Sequence, residues 1–216
     1  TDVIDAPASG EAATLVARTW SGKAVSAEAI GQAQSALADA KEVIVLLGGS
    51  ALCEAGVRAG AALAAHLGGR LLMEPYPAIV TLGGDLPTVE RQAYFPDDVI
   101  AQMGRATVVL AGSRMPISYF GYEGYPSQLV AEAQLVRLAA PEHDAVAALV
   151  ALNEAMGAAA LPVQPVAAPE PSSTDRDCAL TPALVVEELV AQLPEDAIIS
   201  LEGSTLGGPW LRNAHR

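Results

Sequence analysis

The clearest pattern along the chain is an unbroken apolar run, Val43 to Leu47, set between Lys41-Glu42 and Gly48-Gly49. It is too short for a helix of its own and two glycines end it, so it predicts a buried strand. Upstream, Ser26 precedes a stretch to about Ala40 in which Ile30, Ala33 and Leu37 share one helical face, with Ser26 as the N-cap. Downstream, "SALCEAGVRAGAALAAHLGG" carries small residues at helical period, as an element lying flat on a sheet does, and Gly68-Gly69 ends it. "RLLMEPY" predicts a second strand, and the βαβ unit so formed should have a right-handed crossover.

The periodicity then lapses from Pro75 to about Pro96, and a short helix is expected from Asp97 or Asp98 to Met103. "ATVVLAGS" reads as a third buried strand ending at Gly112, "RMPISYFGYEGYPSQ" as an irregular loop, "AQLVRLAAP" as a fourth strand and residues 142–156 as a helix. Strands alternating with helices predict an α/β fold, an open parallel sheet with helices on both faces of Rossmann-like type.

After Gly157 the chain becomes rich in Pro, Ala and Ser, and prolines at 162, 165, 169 and 171 favour extended backbone without donors. This reads as a linker. Thr181 followed by Pro182 then marks a helix start running to about Gln192. Ala197 to Leu201 reads as a buried strand opening a new sheet, and Glu202 to Gly208 as the loop leaving it. The expected organisation is a connecting segment (residues 1–24), a complete domain (25–157), the linker (158–178) and a barely started further domain (179–216). A start at Thr1 and a close just past a strand and its loop lead to the expectation of a piece of something longer.

Composition narrows the function. The chain has 216 residues, 51% of them hydrophobic but only 4% aromatic, so the core must be built from Ala, Val, Leu and Ile, the usual filling around a buried parallel sheet. A formal net charge of −13 argues against nucleic-acid or anionic-membrane partners, which need clustered Lys and Arg. No stretch approaches the roughly 18 apolar residues of a membrane span, and no secretory leader is visible. A cytoplasmic protein is expected. Cys53 and Cys178 form neither a zinc signature nor a disulfide framework, and His66, His143 and His215 are scattered, so no metal site is expected.

Three places could carry chemistry. "LLGGSALCEAG" resembles a nucleotide-binding turn at Gly48 and Gly49, although its spacing is not GxGxxG and no P-loop Lys follows. The competing reading is that these glycines let strand and helix pack closely. Tyr119, Phe120, Tyr122 and Tyr125 could stack on a flat ligand or cover an interface. Ser204 and Thr205 follow a predicted strand at its C-terminal end, where open α/β sheets place ligands; hydroxyls and loop N–H groups there suit phosphate oxygens, and an ordinary turn is the alternative. The adjacent acids Asp97/Asp98 and Glu187/Glu188 lie on helices and do not converge.

Taken together, "ALADAKEVIVLLGGSALCEAGVRAGAALAAHLGGRLLMEPYP", "LPTVERQAYFP", "ATVVLAGSRMPISYFGYEG" and "LTPALVVEELVAQLPEDAIISLEGSTLGG" resemble the thiamine diphosphate-dependent enzymes of the acetolactate synthase and benzoylformate decarboxylase group. The resemblance implies three successive α/β domains, of which this chain would hold the exit from the first, the whole central domain and the start of the diphosphate-binding third. It also implies that Glu202, Ser204 and Thr205 touch the diphosphate, with Leu201 replacing the usual polar first residue of that turn. The family's catalytic Glu and its Gly-Asp-Gly…Asn Mg²⁺ signature are expected outside this chain, which alone should be inactive. For the parent, the resemblance implies thiamine diphosphate, Mg²⁺, a 2-keto acid substrate and a homodimer or homotetramer. Carboligation after decarboxylation is the first expectation, simple decarboxylation the alternative. Acetolactate synthases carry FAD in the central domain; no tightly bound flavin is expected here, and a nucleotide remnant at Gly48 and Gly49 is the lesser reading. A stand-alone nucleotide-binding module and a non-catalytic scaffold remain competing functions.

Overall fold

A computed structural model describes Gly10 and residues 21–162, 179–194, 196–202 and 204–213. In chain order the elements are α1 (Ala27–Leu37), β1 (Val43–Leu47), α2 (Glu54–His66), β2 (Arg70–Met73), β3 (Glu90–Arg91), α3 (Pro96–Met103), β4 (Thr107–Ala111), β5 (Leu135–Ala139), α4 (Ala145–Met156), α5 (Pro182–Gln192) and α6 (Ser204–Asn213), with short 3₁₀ turns at Gly49–Leu52 and Glu132–Gln134.

The five strands form one sheet in the order β3-β2-β1-β4-β5. All pairings are parallel, with Val45 beside Leu71 on one side and Val109 on the other. All five residues of β1 are buried because the strand lies in the middle of the sheet with both faces covered. Its pleat divides them: Val43, Val45 and Leu47 join a core with buried residues of α1, α2 and α4, while Ile44 and Leu46 meet Val99 and Met103 of α3 on the opposite face. The α/β fold with helices on both faces is therefore present, and it is Rossmann-like.

Local chemistry sets the helix ends. The Ser26 hydroxyl accepts from the Ala29 N–H at 3.2 Å, and Asp144 accepts from Ala147 at 3.0 Å, each satisfying a donor that the first turn leaves over. Helix α1 stops at Leu37, a little short of the expected end, and α4 begins only at Ala145 because Asp144 is its cap. Pro96 takes the first position of α3. Lys23, in the predicted connecting segment, donates its N–H to Glu142 and accepts from Asp144, which ties it to the turn before α4.

Strand β3 is a finding that hydrophobic pattern did not announce, since only Glu90 and Arg91 form it, at the sheet edge. Polar side chains hold it there. Arg70 donates to the Glu90 carboxylate at 2.6 Å, and Gln102 of α3 donates to Glu90 at 2.8 Å and to the Arg91 carbonyl at 3.0 Å. Partial burial alone would raise the Glu90 pKa, but the bonds from Arg70 and Gln102 outweigh it and hold the carboxyl below its ordinary value. A depressed folded-state pKa stabilises above the unfolded glutamate pKa of about 4.3 and stops doing so as pH falls through the folded value. Glu90→Gln should therefore be less stable than wild type at pH 7, by a modest margin because both ion-pair partners are half exposed, and the gap should narrow as pH falls below the ordinary glutamate range and close once the folded carboxyl is protonated. Urea unfolding of both proteins across that range checks this; a gap independent of pH would contradict it.

The linker expected at 158–178 lies mostly outside the described residues. Helix α5 starts as the Thr181-Pro182 pair predicts, with the Thr181 hydroxyl accepting from Leu184 at 3.2 Å. Two expectations after it need correction. Residues 197–201 do not form a strand, and Ile198 is 98% exposed. A strand exists only where a neighbour supplies ladder bonds, and none of the described strands pairs with this segment. The turn expected from Glu202 to Gly208 is instead largely helical, since α6 runs through Ser204–Asn213 despite Pro209 in its interior. Helices α5 and α6 pack together, Val186 is fully buried, and Leu211 reaches the core on the α1/α2/α4 side. No helix among the described residues is long and apolar enough to cross a membrane.

Candidate functional site

Parallel strands all end at one edge, and the elements leaving that edge define the site. From β1 the chain moves outward to β2 and β3, then returns to the other side of β1 as β4. The order thus reverses between β1 and β4, the place where open α/β sheets take ligands. Gly48-Gly49 leaves β1 there, Glu74 leaves β2, and Gly112-Ser113-Arg114 leaves β4.

The β1 and β4 exits touch through backbone. Gly48 donates its N–H to Ala111 at 3.0 Å, and a Cβ on Gly48 would stand 2.6 Å from the Ser113 Cα. Gly112 has a φ of 71°, and a Cβ there would fall 2.3 Å from the Gly48 carbonyl oxygen. Ser113 is buried and donates its hydroxyl to the Leu46 carbonyl at 2.9 Å. Gly49, with a φ of 48°, donates its N–H to the Glu74 carboxylate at 2.9 Å. Close packing at Gly48 is thus part of the geometry. Glu74 is the residue that sequence reasoning missed. Its only sequence signal is an acid at the end of the second strand, and its partner becomes visible only once β1 and β2 are in register.

Beside this seam lies a cluster of six rings. Tyr76 meets Tyr94 edge-on at 5.9 Å and Tyr119 at 5.4 Å, and Tyr94 stacks on Tyr119 at 5.9 Å. Phe95 contacts Tyr94 at 4.9 Å and Tyr122 at 6.5 Å, and Phe120 reaches Tyr122 at 6.3 Å. The Arg91 guanidinium lies 5.1 Å from the centre of the Tyr76 ring, a cation–π contact, while its Nε donates to the Pro75 carbonyl at 2.6 Å. The loop expected to carry aromatics does so. Its tongue is closed by a Ser118 to Ser127 backbone bond at 2.9 Å, and Phe120 is 65% exposed at its tip. Tyr76, Tyr94 and Phe95 come from the stretch between β2 and α3, and only the fold brings the two loops together. Burial, then the nearby Glu74 carboxylate, raise the Tyr119 pKa; partial burial and the Tyr122 hydrogen bond raise that of Tyr94; and a bond to Asp97, with some burial, raises that of Tyr125. These phenols stay neutral at physiological pH. Asp97 and Asp98 sit in the first turn of α3, Asp97 bonded to Tyr125.

The other candidate residues lie elsewhere. Glu202 and Thr205 are exposed, and Ser204 is the first residue of α6, where first-turn N–H groups have no intrahelical acceptor. No hydrogen bond or ion pair among the described residues joins Glu202 or Thr205 to the glycine turn. Cys53 is a free, exposed thiol, and no group of three His, Cys, Asp or Glu among the described residues could hold a metal ion. At the opposite sheet edge, Lys41, Glu42, Arg105 and Thr107 line an open depression.

No family model matches the chain. It is 34% identical over 180 residues to the "Putative acetolactate synthase large subunit IlvX" of Mycobacterium tuberculosis, a match that takes in 82% of this chain and 34% of that protein. The chain thus spans about a third of the length of this curated relative. Its fold is also that of the solved "X-ray structure of a putative thiamin diphosphate-dependent enzyme isolated from Mycobacterium smegmatis", with a TM-score of 0.56 and 23% identity over 88% of this chain and 39% of the other.

Proposed function

From the premise that this chain is a domain of the thiamine diphosphate-dependent enzyme family, distantly homologous to an acetolactate synthase large subunit, we propose that it is part of an enzyme that joins 2-keto acids by carboligation after decarboxylation. The observation that carries this reading is the 34% identity sustained over 180 residues. It favours a synthase over a simple decarboxylase. In this reading residues 25–157 are the central domain, 158–178 a linker and 179–216 the start of the diphosphate-binding domain, with residues 1–24 leading in from a preceding one. A homodimer or homotetramer is the expected assembly of the whole protein.

The residues present fit one part of the cofactor. The first turn of α6 starts at Ser204 and holds Thr205, and first-turn N–H groups have no acceptor within the helix, a setting suited to diphosphate oxygens. Ser204 and Thr205 would hold the diphosphate, and Glu202 stands in the same turn. For Mg²⁺ the described residues offer no ligand set, and none is proposed. Thiamine diphosphate, when bound, supplies an electron sink for the carbon next to the keto acid carbonyl. What this chain contributes is the scaffold and one wall of the diphosphate site.

The 216-residue chain supplied with thiamine diphosphate, Mg²⁺ and pyruvate should therefore give no turnover. The product of the whole reading frame under the same conditions should release CO₂ and form a 2-hydroxy-3-keto acid. Carboligation by the isolated chain would contradict the division of the site, and a whole protein inert toward every 2-keto acid tested would contradict the family activity.

A further inference from the structure

We propose that the Glu74 carboxylate permanently occupies the anion position of the Gly48-Gly49 turn, so that this Rossmann-like domain takes no dinucleotide there. The proposal is independent of the reaction proposed above. Dinucleotides bind such folds by laying their diphosphate on the N–H groups of the turn after the first strand, with space for close approach of its backbone. In this chain three of those groups, on Gly48, Gly49 and Ala51, are spent. The exposed Gly49 N–H donates to Glu74 at 2.9 Å, the Gly48 N–H to Ala111 at 3.0 Å and the Ala51 N–H to Gly48 at 3.0 Å. The Ser113 hydroxyl, which faces the seam from β4, is buried and bonded to Leu46, and that of Ser50 donates to the His143 carbonyl at 3.4 Å.

Space is lacking as well. A Cβ on Gly48 would lie 3.0 Å from the Glu74 carboxylate, so while that side chain stands there a phosphate cannot approach the Gly48 side of the turn. Glu74 also brings a negative charge to the spot where a diphosphate would add more. Like charges brought together in a partly buried site repel strongly. The resemblance to FAD-carrying acetolactate synthases thus does not extend to this turn.

There is a competing role for the same residue. An acid about 20 residues beyond the glycines binds the ribose hydroxyls in many dinucleotide sites, and Glu74 stands at the end of β2 in that position. The two roles predict opposite signs. If Glu74 fills the anion position, wild type shows no saturable binding of ADP or FAD below about 1 mM, and Glu74→Ala gains ADP affinity by about tenfold or more. Calorimetric titration of the 216-residue chain and the variant with ADP, FAD and inorganic phosphate reads this out, with circular dichroism confirming that each is folded. Glu74→Gln, which keeps an acceptor for Gly49 but loses the charge, should gain a smaller part of the same affinity and serves where the alanine variant does not fold.

Micromolar ADP or FAD binding by wild type would overturn the proposal, as would variants that bind nucleotide no better than wild type. In wild type itself, amide exchange at Gly49 should be far slower than at Gly121, another exposed glycine whose N–H has no such acceptor. Equal exchange at the two glycines would mean that the carboxylate does not hold the turn.

Discussion

Gly112→Ala is expected to lose about 2–5 kcal/mol of unfolding free energy. Two costs combine at this position. An L residue at a φ of 71° is strained by about 1–2 kcal/mol, and the added methyl would stand 2.3 Å from the Gly48 carbonyl oxygen, a backbone atom fixed in the middle of the sheet. Relieving that clash means prying β4 from β1, at a further cost of about 1–3 kcal/mol. Against total stabilities of about 5–15 kcal/mol this is a large fraction. Gly68→Ala isolates the first cost, because Gly68 has a φ of 60° with nothing within 4 Å of its Cβ position. Urea midpoints should fall much further for Gly112→Ala than for Gly68→Ala. Equal falls would show that the β1–β4 seam yields easily.

Leu149→Ala should cost about 3 kcal/mol, within the usual 2–5 for emptying a packed leucine site. Leu149 is fully buried on α4, in the core that this helix shares with α1, α2 and one face of the sheet. Helices hold this space from several sides, so it cannot collapse when the side chain is removed. The adjacent Val150 is 43% exposed, and Val150→Ala should stay within about 0.5 kcal/mol. Unfolding curves that shift alike for the two variants would place α4 in a different rotation from the one described.

Much of the fold could be read ahead because it is written in local chemistry. Val43 to Leu47 is a strand from its own composition, and Thr181-Pro182 starts a helix through a cap and a fixed φ that need no distant partner. The errors fall where structure depends on pairing. Glu90 and Arg91 have no apolar signal and become a strand only because β2 offers an edge and Arg70 and Gln102 hold them to it. Ala197 to Leu201 has the right composition for a strand but no described neighbour to ladder with. The candidate site divides in the same way. Glycines at the end of β1 and aromatics in the loop after β4 were legible as types. That Glu74 reaches the first, and that Tyr76, Tyr94 and Phe95 join the second, follows from register and loop packing, which no single stretch encodes.

The parallel register also fixes an order of assembly during synthesis. Ile44 pairs with Arg70, but Val43 must wait for Thr107. A chain emerging from its N-terminal side can form β1, α2 and β2 early, yet the flank of β1 that belongs to β4 stays without its partner until much more of the chain has been made. Closing such distant contacts is slow, and an unpaired flank on an apolar strand is open to association with other chains in the meantime. The glycine contact between Gly48 and Gly112 belongs to this later pairing, so the flank of β1 stays open until β4 has been made.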